Sequence, residues 1–186
     1  MLKSVVFFIV LLLMKCVIGC QEVRTNDNAY SNPKEVSASI ARGKYLVQVM
    51  DCHSCHTPKI MTPEGYVPDM DRAFMGFPAD GELPPNAEGG IHFNNDLTAY
   101  SGPWGISFAA NISNDFTGIG DWNFEQFRVA MQEGKFRGNK QERGLLPPMP
   151  WESYRELHDD DLKSIFMFLK TSRRIHNVVP DFIDYN

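Results

Sequence analysis

The sequence is short of cysteine, of net positive charge and of long apolar runs. Its four cysteines fall at positions 16, 20, 52 and 55 of 186 residues. Basic residues number 18 against 23 acidic ones, a formal net charge of −5. Nucleic-acid binding, which rests on a basic patch, is not expected of such a chain. The longest unbroken apolar run, Val5 to Met14, is shorter than the ~20 residues a membrane-spanning helix needs. There is no internal repeat, and no βαβ pattern surrounds the cysteines.

The apolar run has a different use. It follows the basic start Met1-Leu2-Lys3 and ends in Val17-Ile18-Gly19-Cys20, a small residue directly before a cysteine. That arrangement suits a secretory signal. It also resembles the lipobox of bacterial lipoproteins. The resemblance implies cleavage before Cys20 and a lipid on its thiol, with an ordinary signal peptide cut nearby as the competing reading. Residues 1–19 are then a signal peptide, and residues 20–38 a lipidated cysteine with a polar, flexible tether. Loss of Lys3 and Lys15 leaves 16 basic against 23 acidic residues, a mature net charge of −7. The expected location is the bacterial cell envelope, facing the periplasm, anchored to the outer or the inner membrane.

Residues 39–176 read as one domain and 177–186 as a C-terminal tail. Three helices are expected. The first runs from about Ser39 to Met50, with Gly43 inside it, where glycine lets another backbone come close. The second starts at Asn123, with Gln126 completing a capping box and Gly134 stopping it. The third runs from about Asp159 to Thr171, with three aspartates at its positive end. The stretch 57–121 is rich in Gly and Pro and reads as a long irregular loop, with at most one short hairpin. The expected class is all-α.

One motif carries chemistry. Cys52-His53-Ser54-Cys55-His56 is the C-x-x-C-H pattern of covalent c-type haem attachment. Each thiol can form a thioether with one vinyl group, and His56 can then bind the iron. No second copy exists, so one haem c is expected. Cys16 leaves with the signal and Cys20 carries lipid, so no disulfide partner remains. A thioredoxin-like pair would need the missing βαβ context. A zinc site would need a further ligand, and Cys20 lies in the tether.

The opposite axial ligand decides the function. Met149 is the expected one, in Leu145-Leu146-Pro147-Pro148-Met149-Pro150-Trp151. Flanking prolines stiffen the loop, so a thioether there loses little entropy on binding iron. A sulfur ligand favours Fe(II) and suits electron transfer. Met131 reads as core, and Met61, Met70 and Met75 lack a rigid frame. His92, His158 and His176 are weaker candidates, the second a helix-start residue and the third a tail residue.

These residues resemble the class I c-type cytochromes, especially modules of the cytochrome subunits of membrane-bound bacterial dehydrogenases. Ala41 to Leu46, Cys52 to Thr57, Asn111-Ile112-Ser113 through Thr117 to Trp122, and Pro147 to Trp151 carry the match in order. The resemblance implies a cytochrome c fold of about three main helices around one haem, the first and last crossing near Gly43, and a Met ligand from the Pro-rich loop. The leading reading of the site is a one-electron carrier, not itself an enzyme but able to act as a subunit or partner of an oxidoreductase. Its partners would be redox proteins: a donor dehydrogenase and an acceptor oxidase or reductase. Those subunits usually carry several haem modules, whereas this chain has one motif. A peroxidase-like enzyme with an open sixth site, or a haem sensor, is the competing function. Residues 58–105 match least.

Overall fold

The computed structural model describes residues 32–85 and 89–185. The expected signal peptide, Cys20 and most of the expected tether lie outside the described residues. Val36–Asn186 forms one compact unit, and all that follows concerns it, apart from the first turn of helix α1. Among the described residues no helix is long and apolar enough to cross a membrane.

Five α-helices are described: α1 (Pro33–Val49), α2 (Cys52–His56), α3 (Phe124–Glu133), α4 (Trp151–Tyr154) and α5 (Asp159–Leu169). Helix α1 starts at Pro33 rather than Ser39. Pro33 takes the first helical position, where its missing N–H costs nothing. Asn32 Oδ1 accepts the Lys34 N–H at 3.0 Å and caps the helix. Helix α3 has the full capping box: Asn123 Oδ1 accepts the Gln126 N–H at 2.9 Å, and Gln126 Oε1 accepts the Asn123 N–H at 3.1 Å. Gly134 ends it at φ 63°.

Helices α1 and α5 touch through their backbones. A Cβ on Gly43 would sit 1.9 Å from the Ser164 carbonyl oxygen. Beside this contact Arg42 binds Asp161 with two hydrogen bonds, of 2.8 and 3.2 Å. The core lies next to the crossing. Leu46, Val47, Phe74, Ile119, Phe127, Met131, Leu162, Ile165 and Leu169 form one buried cluster.

The expectation of an all-α chain is corrected by two antiparallel sheets. Strands β1 (Lys59–Thr62) and β2 (Gly65–Pro68) form the first. Strands β3 (His92–Phe93), β4 (Ala99–Gly102) and β5 (Gly105–Phe108) form the second. The physical reason is in the turns. Thr62-Pro63-Glu64-Gly65 and Gly102-Pro103-Trp104-Gly105 both place Pro second and Gly fourth. Proline presets the first turn residue, and the glycines take φ values of 116° and 102°. Gly and Pro there punctuate hairpins rather than mark irregular loop.

The C-terminal residues are tied to this sheet. Ile183 pairs with Ile106, by hydrogen bonds of 2.7 and 3.0 Å. Buried Asn177 donates to the carbonyls of Met75 and Phe77 and accepts from the Ala79 N–H.

Candidate functional site

Helix α2 carries the C-x-x-C-H motif on a single turn. Cys52 and His56 are four residues apart, and Cys52 and Cys55 three, so all three share a helix face. Both thiols are free and half-buried. Burial pushes the Cys52 thiol up to about 11. It therefore stays protonated, and poorly nucleophilic, at neutral pH. His53 points elsewhere. Its ring stacks on Phe74 at 4.2 Å and its Nδ1 meets Thr57 Oγ1 at 2.8 Å.

Among the described residues the His56 ring is hydrogen-bonded through Nδ1 alone. Its Nδ1 lies 2.8 Å from the Ala110 carbonyl oxygen. That acceptor fixes the tautomer with the proton on Nδ1, which leaves the Nε2 lone pair free for iron. Burial lowers the pKa of His56, the Ala110 hydrogen bond opposing the shift. The neutral form is the one that binds metal.

Ala110 is delivered by a backbone clamp. Phe77 N–H donates to Ala109 O at 2.9 Å, and Ile112 N–H donates to Phe74 O at 2.8 Å. Gly76, at φ 73°, lets the two segments meet, since a Cβ there would sit 2.3 Å from Ala109 O. Gly76 N–H also donates to the His56 carbonyl at 2.9 Å.

The end of helix α2 is closed by Lys59. Its Nζ reaches the carbonyl oxygens of Ser54 and Thr57 at 2.8 and 2.5 Å, and those of His53 and Asp96 at 3.3 Å. A lysine at a helix C-terminus satisfies the carbonyls that the helix leaves open.

Met149 is half-buried and packs against the same core cluster that receives Cys52. The next element, α4, also lies near the motif. Tyr154 is pushed up to about 12, by burial first and then by the neighbouring Cys52 and Cys55. Trp151 closes on helix α3, where a Cβ on Gly134 would sit 2.3 Å from its ring. Leu145 N–H donates to Gly134 O at 2.7 Å, so both ends of the methionine loop are fastened to one helix end.

Of the other candidates, Met131 belongs to that core cluster, with its side chain committed to helix packing. Met61 and Met70 are exposed, while Met75 and Met131 are buried. His158 precedes α5 without a side-chain cap, and His176 lies 3.5 Å from Asp115 on the surface. Among the described residues no group of three or more His, Cys, Asp or Glu side chains is placed to hold a bare metal ion. A porphyrin iron needs only axial donors. The residues present fit a covalent haem: two free thiols on one helix face, a histidine with one nitrogen occupied and one free, and a thioether on the same core.

Sequence reasoning missed Ala110, Lys59, Tyr100 and Ser107. Lys59 had a local signal, a basic residue just past a helix end. Tyr100 and Ser107 flank a hairpin turn that was read as loop. Ala110 acts through its backbone and leaves no mark in the sequence.

No family model matches the chain. Curated relatives do. The chain is 25% identical over 169 residues to the gluconate 2-dehydrogenase cytochrome c subunit of Pantoea cypripedii, covering 90% of this chain and 30% of that protein. It is 31% identical over 134 residues to the fructose dehydrogenase cytochrome subunit of Gluconobacter japonicus, covering 72% and 21%. It is 27% identical over 144 residues to the cytochrome c subunit of the quinone-dependent alcohol dehydrogenase of Gluconobacter oxydans, covering 77% and 22%. The chain thus spans less than a third of the length of each of these relatives. They are cytochrome subunits of bacterial dehydrogenases at low identity, two of them named as cytochrome c subunits, and they support a cytochrome c family for this chain.

Proposed function

We propose that the chain is a membrane-tethered, one-haem c-type cytochrome that carries single electrons. The observation that carries this reading is the His56 ring, fixed through Nδ1 on the helix face that bears both thiols. The likeness to dehydrogenase cytochrome subunits supports a donor of that kind. Its acceptor would be a terminal oxidase or reductase. In this reading the compact unit from Val36 onward, with Asn177 and Ile183 tied into it, is the cytochrome domain, and Cys20 the lipid anchor on the periplasmic side of the envelope.

The haem supplies a reversible one-electron couple. The residues do the rest. Cys52 and Cys55 attach it through thioethers, so it does not dissociate. His56, through Nε2, and Met149, through its thioether sulfur, would hold the iron, and a site filled from both residues would suit electron transfer rather than substrate binding. Phe74, Ile119 and Met131 exclude water from the core beside it. The Ala110 carbonyl and the fastened methionine loop keep both donors in place in either oxidation state. Such a site would suit transfer of single electrons to a docked redox partner.

The test is covalent attachment. The full chain is expressed with a haem-maturation system, and haem is extracted with acidic acetone. The unmutated protein should keep its haem, whereas Cys52→Ala with Cys55→Ala should release it. Haem retained by the double variant would sink the thioether assignment.

A further inference from the structure

The loop that carries Met149 is poor in donors. Pro147, Pro148 and Pro150 have no N–H, and the Met149 N–H turns back on Leu146 O at 3.3 Å. Anything that fastens the centre of this loop to the rest of the protein must therefore donate to its carbonyls. Ser107 does so. Its Oγ donates to the Pro147 carbonyl at 2.6 Å, two residues before Met149. Trp104 Nε1, at 3.2 Å, donates to the same Oγ and leaves the serine proton for Pro147.

Ser107 stands directly opposite Tyr100 in the β4–β5 ladder. Directly opposed residues of an antiparallel pair leave the same face of the sheet. The Tyr100 hydroxyl lies 3.1 Å from Cys55 Sγ and also within donor reach of the Leu97 carbonyl. One cross-strand pair therefore touches the attachment helix with one side chain and the methionine loop with the other. Both residues are buried.

We infer that the Tyr100–Ser107 pair is a brace that sets the position of Met149 relative to the attachment helix, with Ser107 the positioning residue for iron ligation. The inference rests on the reading of Met149 as the axial ligand. Ser107 touches neither iron nor haem in this account. It acts on the loop carbonyl, and so on how easily the thioether leaves the iron. The hairpin that overturned the all-α expectation then has a function at the site.

Imidazole competition on the ferric holoprotein tests the brace. Added imidazole displaces a methionine ligand and abolishes the sulfur-to-iron charge-transfer band. Removing one buried hydrogen bond should make that displacement easier. Ser107→Ala is expected to lower the half-saturating imidazole concentration about five- to tenfold. Ser107→Thr, which keeps a hydroxyl, should stay within about twofold of the unmutated protein. Trp104→Phe should shift it the same way as Ser107→Ala but less, and it decides the matter if Ser107→Ala does not load haem. Thermal unfolding of the same samples separates the brace from plain stability. A lowered unfolding midpoint with unchanged imidazole affinity in both variants would overturn the inference. If the unmutated protein lacks the sulfur band, the Met149 reading falls first and the brace with it.

Discussion

Lys59 illustrates how one side chain can hold a functional helix. A five-residue helix such as α2 has too few internal hydrogen bonds to stand alone. The ammonium of Lys59 gathers carbonyls from His53, Ser54 and Thr57, and one from Asp96 beyond the helix. Burial lowers its pKa, opposed by the nearby Cys55 and Asp96. Lys59→Met keeps the stem but leaves those carbonyls without their donor. The predicted loss is about 1–3 kcal/mol in denaturant unfolding of the ferrous holoprotein. An unchanged midpoint would mean that water replaces the ammonium without cost. At this scale the sequence was partly readable. Cys52, Cys55 and His56 stand in a local motif, but the partner of His56 is a backbone oxygen 54 positions away. Any residue at 110 would supply that oxygen.

Among the elements, the α1–α5 crossing is the tightest joint. Gly43 meets the Ser164 carbonyl and Phe168 Cβ with no room for a methyl group. Gly43→Ala would gain helix propensity but must push the helices apart. Overpacking of this kind costs about 1–3 kcal/mol, more than the ~1 kcal/mol of propensity gained. A lower unfolding midpoint is the predicted result, and a raised one would show that the crossing yields freely. The Arg42–Asp161 pair beside it is solvent-screened and contributes little to stability. Its Arg42 hydrogen bond holds Asp161 below the usual carboxylate range. That small contribution is therefore complete above the ordinary Asp pKa and is lost as the pH falls through the lowered one.

Elements set by local chemistry were legible, and those set by distant pairing were not. The Asn123–Gln126 box needs only four consecutive residues, and it formed as read. The start of α1 at Asn32-Pro33 was equally local but was hidden by the polar composition around it. The hairpins failed for another reason. Strands β4 and β5 are buried on nearly every residue, so they lack the alternation that marks a half-exposed strand. Only the Pro and Gly of the turns pointed to them, and these were counted as loop residues.

For the whole molecule, the proposed arrangement is a haem domain joined to a lipid at Cys20. The chain spans less than a third of the length of these relatives, so the remainder of their architecture does not transfer. The anchor is tested by itself. Labelled fatty acid should enter the unmutated chain and not Cys20→Ala, which should be recovered in the soluble periplasmic fraction. Equal labelling of both would remove the lipid from the account and leave the electron carrier standing.

The proposed iron is six-coordinate, held by His56 and Met149. The direct measurement is the absorption spectrum of the purified holoprotein, ferric and ferrous, beside that of Met149→Ala. Low-spin spectra in both oxidation states are predicted for the unmutated chain, with a ferric sulfur-to-iron band that disappears in Met149→Ala. A high-spin spectrum in the unmutated protein, or a band that survives the substitution, would contradict the claim.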